Sequence, residues 1–118
     1  MKLLVIVNES PWGGSLAAAA LRFVRAAGQL GHSVPAVFFR GDGVYHAVAG
    51  RLADGGQDTP AAAWAALASP DTRLLVCSAD AARRLDAGFG ASTGSIFEEA
   101  GLARLWRLAA DCDRVVAF

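Results

Sequence analysis

The sequence predicts a three-layer α/β/α fold around a mainly parallel sheet of four or five strands. Apolar segments of strand length alternate with segments of helical periodicity, which is the order of consecutive β-α-β units. The first apolar segment, residues 3–7, is rich in β-branched residues (LLVIV), as expected of a strand buried on both faces. With 118 residues, 54% of them hydrophobic, the chain can bury one core, and we expect a single domain over residues 1–118.

The first helix is predicted to follow the turn-rich segment NESPWGGS. Ser15 is a suitable N-cap and Gly31 a suitable C-terminal stop. Between them, apolar residues recur at helical spacing and should face the core. These residues are Leu16, Ala20, Phe23, Ala27 and Leu30.

The second strand is predicted at residues 34–39, with Pro35 near its start, where a missing N–H is tolerated. A short helix is expected at residues 44–52, followed by a polar loop. Thr59 then caps a further helix that has Pro60 at its first position. The core contacts expected of that helix are Trp64 and Leu67.

The third strand is predicted at residues 73–77 and leads into a helix that begins with SADAARRL. Residues 86–95 have a loop-like composition. Residues 97–110 are predicted to form one helix, in which Glu98 and Glu99 suit the positive end of the helix dipole. Its apolar face would hold Leu102, Leu105, Trp106 and Ala109. The segment DRVVAF is predicted to be the last strand.

The strand order brings three loops to one edge of the sheet, where ligands of such folds bind. These are residues 8–15, 40–46 and 77–80. Cys77 is the main chemical candidate at this edge. The residues that could form the rim around it are Trp12, Gly13, Tyr45, His46 and Ser78. The large aromatics among them suit a protein contact or a pocket wall as well as ordinary packing, and His46 could orient a ligand or act as a base.

Cys77 admits two interpretations. Free cysteine is among the most frequently buried residue types, so Cys77 could be a small apolar residue at a strand end. A thiol at a helix N-terminus instead lies near the positive end of the dipole, which favours the reactive thiolate. Arg83 and Arg84 would add to this effect, whereas the carboxylate of Asp80 would oppose it.

A disulfide between Cys77 and Cys112 is not expected. Cys77 ends a strand and Cys112 precedes one, so in a parallel sheet they lie at opposite edges. A strand of this length spans roughly 15 Å, whereas a disulfide requires Cα atoms within about 7 Å. We therefore expect a structural role for Cys112.

Several classes of function are disfavoured by composition and motifs. The net charge is zero, which gives no long-range attraction to nucleic acid or acidic lipid. The apolar runs are too short to span a membrane or to form a signal peptide, so we expect a cytoplasmic protein. The two histidines and two cysteines match no zinc spacing, and no phosphate loop or dinucleotide fingerprint is present. We therefore predict neither a metal nor a cofactor.

The chain resembles the DsrE/TusD family of small sulfur-relay proteins, and its TusD-type subunits most of all. The resemblance rests on VFFRGDGVYHA after the second strand, VCSADAARR around Cys77, CDRVVAF at the last strand and the turn SPWGGS. These segments extend over nearly the whole chain in the family's order. His46 is a departure, because the family usually has Asn after the Tyr.

The resemblance implies that Cys77 carries a persulfide and relays sulfane sulfur between proteins. It implies TusB- and TusC-like subunits in a heterohexamer, or a homo-oligomer, with a TusA-like sulfur donor and a TusE-like acceptor. The end use would be 2-thiouridine formation at the tRNA wobble position, without direct contact to nucleic acid.

Three alternatives stay open at this stage. The chain could be a DsrE-type relay protein of sulfur oxidation, or a non-catalytic assembly subunit of such a complex. A third alternative is a small-ligand or nucleotide-binding domain that is flavodoxin-like in outline, which the missing phosphate loop disfavours.

Overall fold

Five parallel strands form one sheet in the computed structural model, which describes residues 1–12, 14–48, 60–85 and 96–118. The strands are β1 Lys2–Val7, β2 Ser33–Phe39, β3 Arg73–Cys77, β4 Phe97–Ala100 and β5 Arg114–Ala117. The helices are α1 Leu16–Gln29, α2 Pro60–Ala65, α3 Ser78–Arg84 and α4 Leu102–Asp111, together with a 3-10 helix at Gly41–Ala47. The order across the sheet is β4-β3-β2-β1-β5. The predicted fold class is confirmed.

Helices cover both faces of the sheet, so the fold has three layers. Successive residues of a strand point to opposite faces, and in β1 Val5 and Leu4 accordingly belong to two different apolar clusters. The cluster on one face includes buried residues of α1, α2 and α3. The cluster on the other face includes Leu105 of α4. The uninterrupted apolar sequence of β1 follows from this burial on both sides.

The segment 97–110 differs from its prediction, because its first four residues form a strand and not a helical turn. Phe97–Ala100 pairs in parallel with β3, and Gly101 is the N-cap of α4. This pairing occupies the open edge of β3, and the buried Phe97 ring packs against Phe39 with the ring centroids 5.8 Å apart. Tertiary hydrogen bonds and aromatic packing thus override the local helical pattern.

Because residues 97–100 form a strand instead of a helical turn, their charged side chains have different partners from those expected. Glu98 does not begin a helix but forms ion pairs with Arg73 of β3 and Arg104 of α4. On α4 the predicted apolar face is only partly correct. Leu105 is buried, whereas Leu102 is exposed and Trp106 is 72% exposed.

Two smaller differences concern the first half of the chain. The helix after β2 is a 3-10 helix that begins at Gly41, earlier than the predicted start at residue 44, and the described part of it ends at Ala47. It can begin directly after β2 because Gly43 has no side chain. A Cβ atom at Gly43 would collide with the carbonyl oxygen of Val7.

In α1 the buried face is shifted from the predicted one. The buried residues are Ala17, Ala20, Val24 and Ala27, whereas Leu16 and Leu30 are exposed. Ser15 is the N-cap but makes no side-chain capping bond, and Gly31 has a φ of 83° after the helix end. The predictions for Gly13, Thr59, residues 49–58 and residues 86–95 lie outside the described residues.

Candidate active site

The loops after β1, β2 and β3 meet at the carboxyl edge of the sheet, as predicted from the strand order. Directly after β2, the N–H of Arg40 donates to the Val7 carbonyl at the end of β1 over 3.0 Å. The next residue, Gly41, donates its N–H to the Asp80 carboxylate of α3 over 2.8 Å. Gly41 has a φ of 52°, a left-handed conformation that glycine adopts without steric cost. These two hydrogen bonds join the three loops around the end of β3.

Cys77 is the last residue of β3 and the N-cap of α3. Cys77 is 4% exposed and belongs to the apolar cluster on the α4 face of the sheet. Ala100 of β4 is its strand neighbour. Both sequence-based interpretations of Cys77 therefore describe its position, because it is a buried strand-end residue and also the residue that starts a helix.

The Asp80 carboxylate lies in the first turn of α3, three residues after Cys77, and is held by three hydrogen bonds. One oxygen accepts hydrogen bonds from Arg83 over 2.8 Å and from Arg84 over 3.1 Å, and the other accepts from Gly41. These bonds, that from Arg83 first, lower the pKa of Asp80 to about 2. Partial burial of Asp80 opposes this lowering of its pKa, and the nearby Cys77 thiol adds a smaller lowering effect. The carboxylate beside Cys77 is thus ionised at neutral pH.

The two arginines of α3 act on the site through Asp80. Arg83 is 70% exposed at its side chain, so its ion pair with Asp80 lies at the surface. Arg84 is less exposed and also pairs with Asp42 of the 3-10 helix over 3.2 Å. Arg84 thereby adds a second link between α3 and the loop after β2, next to the bond from Gly41. Two arginines and two carboxylates balance in charge here.

The other candidate rim residues fall into two groups. Trp12 and Tyr45 lie together, with ring centroids 5.6 Å apart, and Trp12 is 45% exposed. They form an aromatic pair between the loop after β1 and the 3-10 helix. Ser78 is the first residue of α3 and is partly exposed. Gly13 lies outside the described residues.

His46 is buried, and both of its ring nitrogens are hydrogen-bonded within the protein. The indole N–H of Trp64 donates to Nδ1 over 3.0 Å, and Nε2 lies 3.0 Å from the Glu9 carbonyl oxygen. Because an indole nitrogen only donates, Nδ1 must accept, and the ring proton resides on Nε2. Burial lowers the pKa of His46 to about 4, against a smaller raising effect of the Glu9 carbonyl. His46 thus connects the first loop to α2 as a neutral ring, and neither nitrogen is available as a base in this arrangement.

Cys112 lies at the other edge of the sheet, just before β5. Its thiol is partly buried, and burial raises its pKa. Both cysteines are free. With β2 and β1 between β3 and β5, the lateral separation of the two strands alone is about 14 Å. The expectation that these cysteines form no disulfide is confirmed.

Two further observations concern metal binding and membrane spans. Among the described ranges, no group of three or more His, Cys, Asp or Glu residues is placed to hold a metal ion. Within the same ranges, every helix is too short or too polar to cross a membrane.

The contacts of Asp80 and Trp64 are the parts of this edge that sequence reasoning missed. The sequence predicts an effect of Asp80 on Cys77, but no sequence signal indicates its bond to Gly41. The sequence predicts Trp64 as a core contact, and the structure confirms its burial. A buried indole N–H requires an acceptor, but no spacing in the sequence identifies His46 as that acceptor.

Comparison with known proteins identifies the relatives of this chain. The model of the DsrE/DsrF-like family matches residues 1–118. The sulfurtransferase TusD of Sodalis glossinidius is 34% identical over 124 residues, which cover 97% of this chain and 95% of that protein. A protein of Allochromatium vinosum named putative sulfurtransferase DsrE is 33% identical over 130 residues, 100% of this chain and 98% of its own length.

A solved structure agrees with the fold. The crystal structure of the ychN protein from E. coli superposes with a TM-score of 0.76 at 18% identity, over 99% of this chain and 98% of that one. At this identity the likeness concerns the fold alone. The full-length match to the family model and the identity to curated relatives together establish that this chain belongs to the DsrE/DsrF-like family.

Proposed function

We propose that this chain is a sulfurtransferase subunit that accepts sulfane sulfur as a persulfide on Cys77 and passes it to a downstream carrier. The observation that carries the proposal is the position of Cys77, which ends β3 at the edge where three loops meet and starts α3. Family membership and the sulfurtransferase names of its relatives support it. Cys112, at the opposite edge, lacks this setting.

The transfer is an exchange between thiols and persulfides and requires no cofactor. The Cys77 thiol first loses its proton, and the thiolate then attacks the outer sulfur of a donor persulfide. A new S–S bond forms at Cys77 while the S–S bond of the donor breaks. The donor leaves as a thiolate and takes up a proton. One persulfide and one thiol thus give one persulfide and one thiol, with no net oxidation.

The burial of Cys77 sets a condition on this reaction. Because Cys77 is only 4% exposed, its sulfur cannot reach the cysteine of a partner until the residues that bury it move. Burial also limits oxidation to the sulfenic and sulfinic acids, to which exposed thiolates are prone. We therefore propose that docking of a partner opens the site.

The proposed context is a cytoplasmic sulfur relay. A TusA-like protein would deliver sulfur, a TusE-like protein would receive it, and the product would be 2-thiouridine at the tRNA wobble position. TusB- and TusC-like subunits would complete the assembly, unless the chain forms a homo-oligomer. The support for this context is the similarity to proteins named TusD in Sodalis glossinidius and Cronobacter sakazakii.

A direct test is sulfur loading of the wild type, Cys77→Ser and Cys112→Ser by a persulfidated TusA-like donor. Intact-mass spectrometry should find one added sulfur on the wild type and on Cys112→Ser, and none on Cys77→Ser. Peptide mapping should locate that sulfur on Cys77. Added sulfur on Cys112 in the Cys77→Ser variant would overturn the assignment.

Two related functions are favoured by specific observations. The similar identity to the protein named DsrE favours a relay in sulfur oxidation, and transfer from the loaded chain to a TusE-like acceptor would argue against that role. The burial of Cys77 favours a non-catalytic assembly subunit. That role predicts that Cys77 is not loaded by any donor, even in the presence of the partner subunits.

A further inference from the structure

Arg40 directly follows β2 and is the lateral neighbour of Cys77. The parallel register of β2 and β3 pairs Phe39 with Val76, and Arg40 and Cys77 are the next residues of the two strands. The backbone of Arg40 is still extended, with φ −125° and ψ 163°, and its N–H bonds to the Val7 carbonyl of β1. Because neighbouring strands lie about 4.8 Å apart, the backbones of Arg40 and Cys77 are close.

The side chains of Arg40 and Cys77 lie on the same face of the sheet. Successive residues of an extended strand point to opposite faces. Phe38 belongs to the apolar cluster on the α4 face and Phe39 to the cluster on the other face. Arg40 therefore points to the α4 face, where Cys77 also lies. The neighbour of Cys77 on its other side is Ala100, which carries no charge.

The guanidinium of Arg40 has no partner among the described residues. Its Nε is buried and makes no hydrogen bond, and none of the ion pairs within those residues includes Arg40. Arg83 and Arg84 at the same edge differ, because each is paired with Asp80. A buried donor without an acceptor costs free energy and is an uncommon feature of native structures. A guanidinium in this state is suited to bind an anion.

We propose that Arg40 binds the anionic outer sulfur of the persulfide on Cys77. This inference rests on the proposed function of Cys77. A persulfide is a stronger acid than a thiol and is largely ionised at neutral pH. Loading extends the Cys77 side chain by one S–S bond, about 2 Å. The outer sulfur can thereby reach toward the Arg40 Nε, which makes no hydrogen bond to the thiol sulfur.

The burial of Cys77 makes such a partner necessary. Cys77 is 4% exposed, so a charge carried there has lost most of its water. A buried charge is stable only when it is paired and hydrogen-bonded. Arg40 is placed to provide that pairing from the adjacent strand.

The other charges around Cys77 are paired with one another. On α3 and the 3-10 helix, two arginines bond two carboxylates, and on β4 and α4 a further arginine bonds Glu98. These residues are Asp80, Arg83, Arg84, Asp42 and Arg104. On β1, the lateral neighbour of Arg40 is Asn8, which is neutral. Arg40 is thus the cation at this place whose charge no described carboxylate balances.

The reaction keeps its negative charge beside Arg40. The thiolate of the acceptor attacks the outer sulfur and forms a new S–S bond. The S–S bond at Cys77 breaks, and its electron pair stays on the Cys77 sulfur, which leaves as a thiolate. One thiolate and one persulfide anion give one thiolate and one persulfide anion. Arg40 forms no bond in this step, but it lessens the repulsion between the two anions and lies next to the sulfur that receives the charge.

The first test measures sulfur exchange at equilibrium with a mixture of glutathione persulfide and glutathione. All proteins carry Cys112→Ser, and intact-mass spectrometry gives the ratio of loaded to empty chain. Arg40→Gln should lower the exchange constant about tenfold, the effect of one charge-assisted hydrogen bond. Arg40→Lys keeps the charge and should lower it less. Arg22→Gln, which removes an exposed arginine of α1, is the matched control and should leave it unchanged.

The second test follows the ionisation of the loaded persulfide by the near-ultraviolet absorbance of its anion. Without the cation, Arg40→Gln should ionise at a pH about one unit higher than the wild type, which corresponds to the same tenfold effect. A substitution that only loosened the loop would admit water and shift the midpoint to lower pH. If Arg40→Gln does not fold, the loaded wild type is compared with glutathione persulfide. Its midpoint should be the lower of the two, whereas burial without a cation would raise it.

The two proposals fail in different ways. If Cys77→Ser still accepts sulfur, the proposed function is wrong. If Cys77 is the acceptor but Arg40→Gln matches Arg22→Gln in both tests, Arg40 does not bind the loaded sulfur. The same conclusion follows if the wild-type midpoint lies above that of glutathione persulfide.

Discussion

The neutral, buried ring of His46 predicts how the stability of this protein depends on pH. Burial lowers its pKa from 6.5 to about 4, so the unfolded chain takes up a proton more readily than the folded protein. A group whose pKa is lower in the folded state contributes its full stabilisation only at a pH above its pKa in the unfolded chain. That stability is lost as the pH falls from about 6.5 toward about 4.

The magnitude follows from the two pKa values. A difference of one between the folded and unfolded pKa values corresponds to 1.36 kcal/mol. Complete protonation of His46 therefore lowers the free energy of unfolding by about 3 kcal/mol, of which about 2 kcal/mol is lost between pH 7 and pH 5. The carboxyls of Asp80 and Glu98 have lowered pKa values. Their contributions are lost only in more acidic solution, so they do not contribute between pH 7 and pH 5.

Urea denaturation at pH 7 and at pH 5 measures this loss in the free energy of unfolding. The variant His46→Asn removes the titrating ring, and His32→Asn removes the other histidine as a control. The wild type and His32→Asn should lose about 2 kcal/mol between the two pH values. His46→Asn should be less stable at pH 7 but nearly insensitive to this change. If His46→Asn loses as much stability as the wild type, His46 is not the titrating group and the reasoning is refuted.

The remaining predictions concern packing and cooperativity. Trp64→Phe leaves the His46 acceptor unpaired and should lower the free energy of unfolding by about 1–3 kcal/mol. Trp106→Phe, at the surface, should change it by less than about 0.5 kcal/mol. Equal effects of the two variants would contradict the buried hydrogen bond. Gly43→Ala should destabilise the protein because the new methyl group collides with backbone, whereas Gly28→Ala in open space on α1 should stabilise it by about 0.5–1 kcal/mol. We expect residues 1–118 to unfold in one transition, because the first and last strands pair directly, and non-coincident transitions by circular dichroism and fluorescence would contradict this.

The strands β1, β2, β3 and β5 were predicted correctly because their signal is local. Each contains a short, mainly apolar run that is bounded by polar or turn residues. The same signal placed Cys77 at the carboxyl edge, and the edge itself followed from the strand order. β4 was missed because FEEA has no such run, and its strand conformation depends on the free edge of β3 and on the pocket for Phe97.

The side-chain partners at the candidate site could not be predicted from the sequence. Asp80 and Gly41 are 39 residues apart, and the bond between them depends on how two loops meet. Periodicity describes one element at a time and gives no information on such contacts. The role of His46 was likewise open, because a histidine at this edge becomes a base or a structural bridge according to whether its nitrogens are already bonded.

The position of β5 has a consequence for how the chain folds during its synthesis. β1 pairs with β2 on one side and with β5 on the other, and more than a hundred residues separate Leu3 from its partner Arg114. Until β5 leaves the ribosome, one edge of β1 has no strand to pair with, and an unpaired apolar edge favours aggregation. A ribosome stalled before β5 would therefore hold a chain in which β1 is an edge strand that is open to other nascent chains.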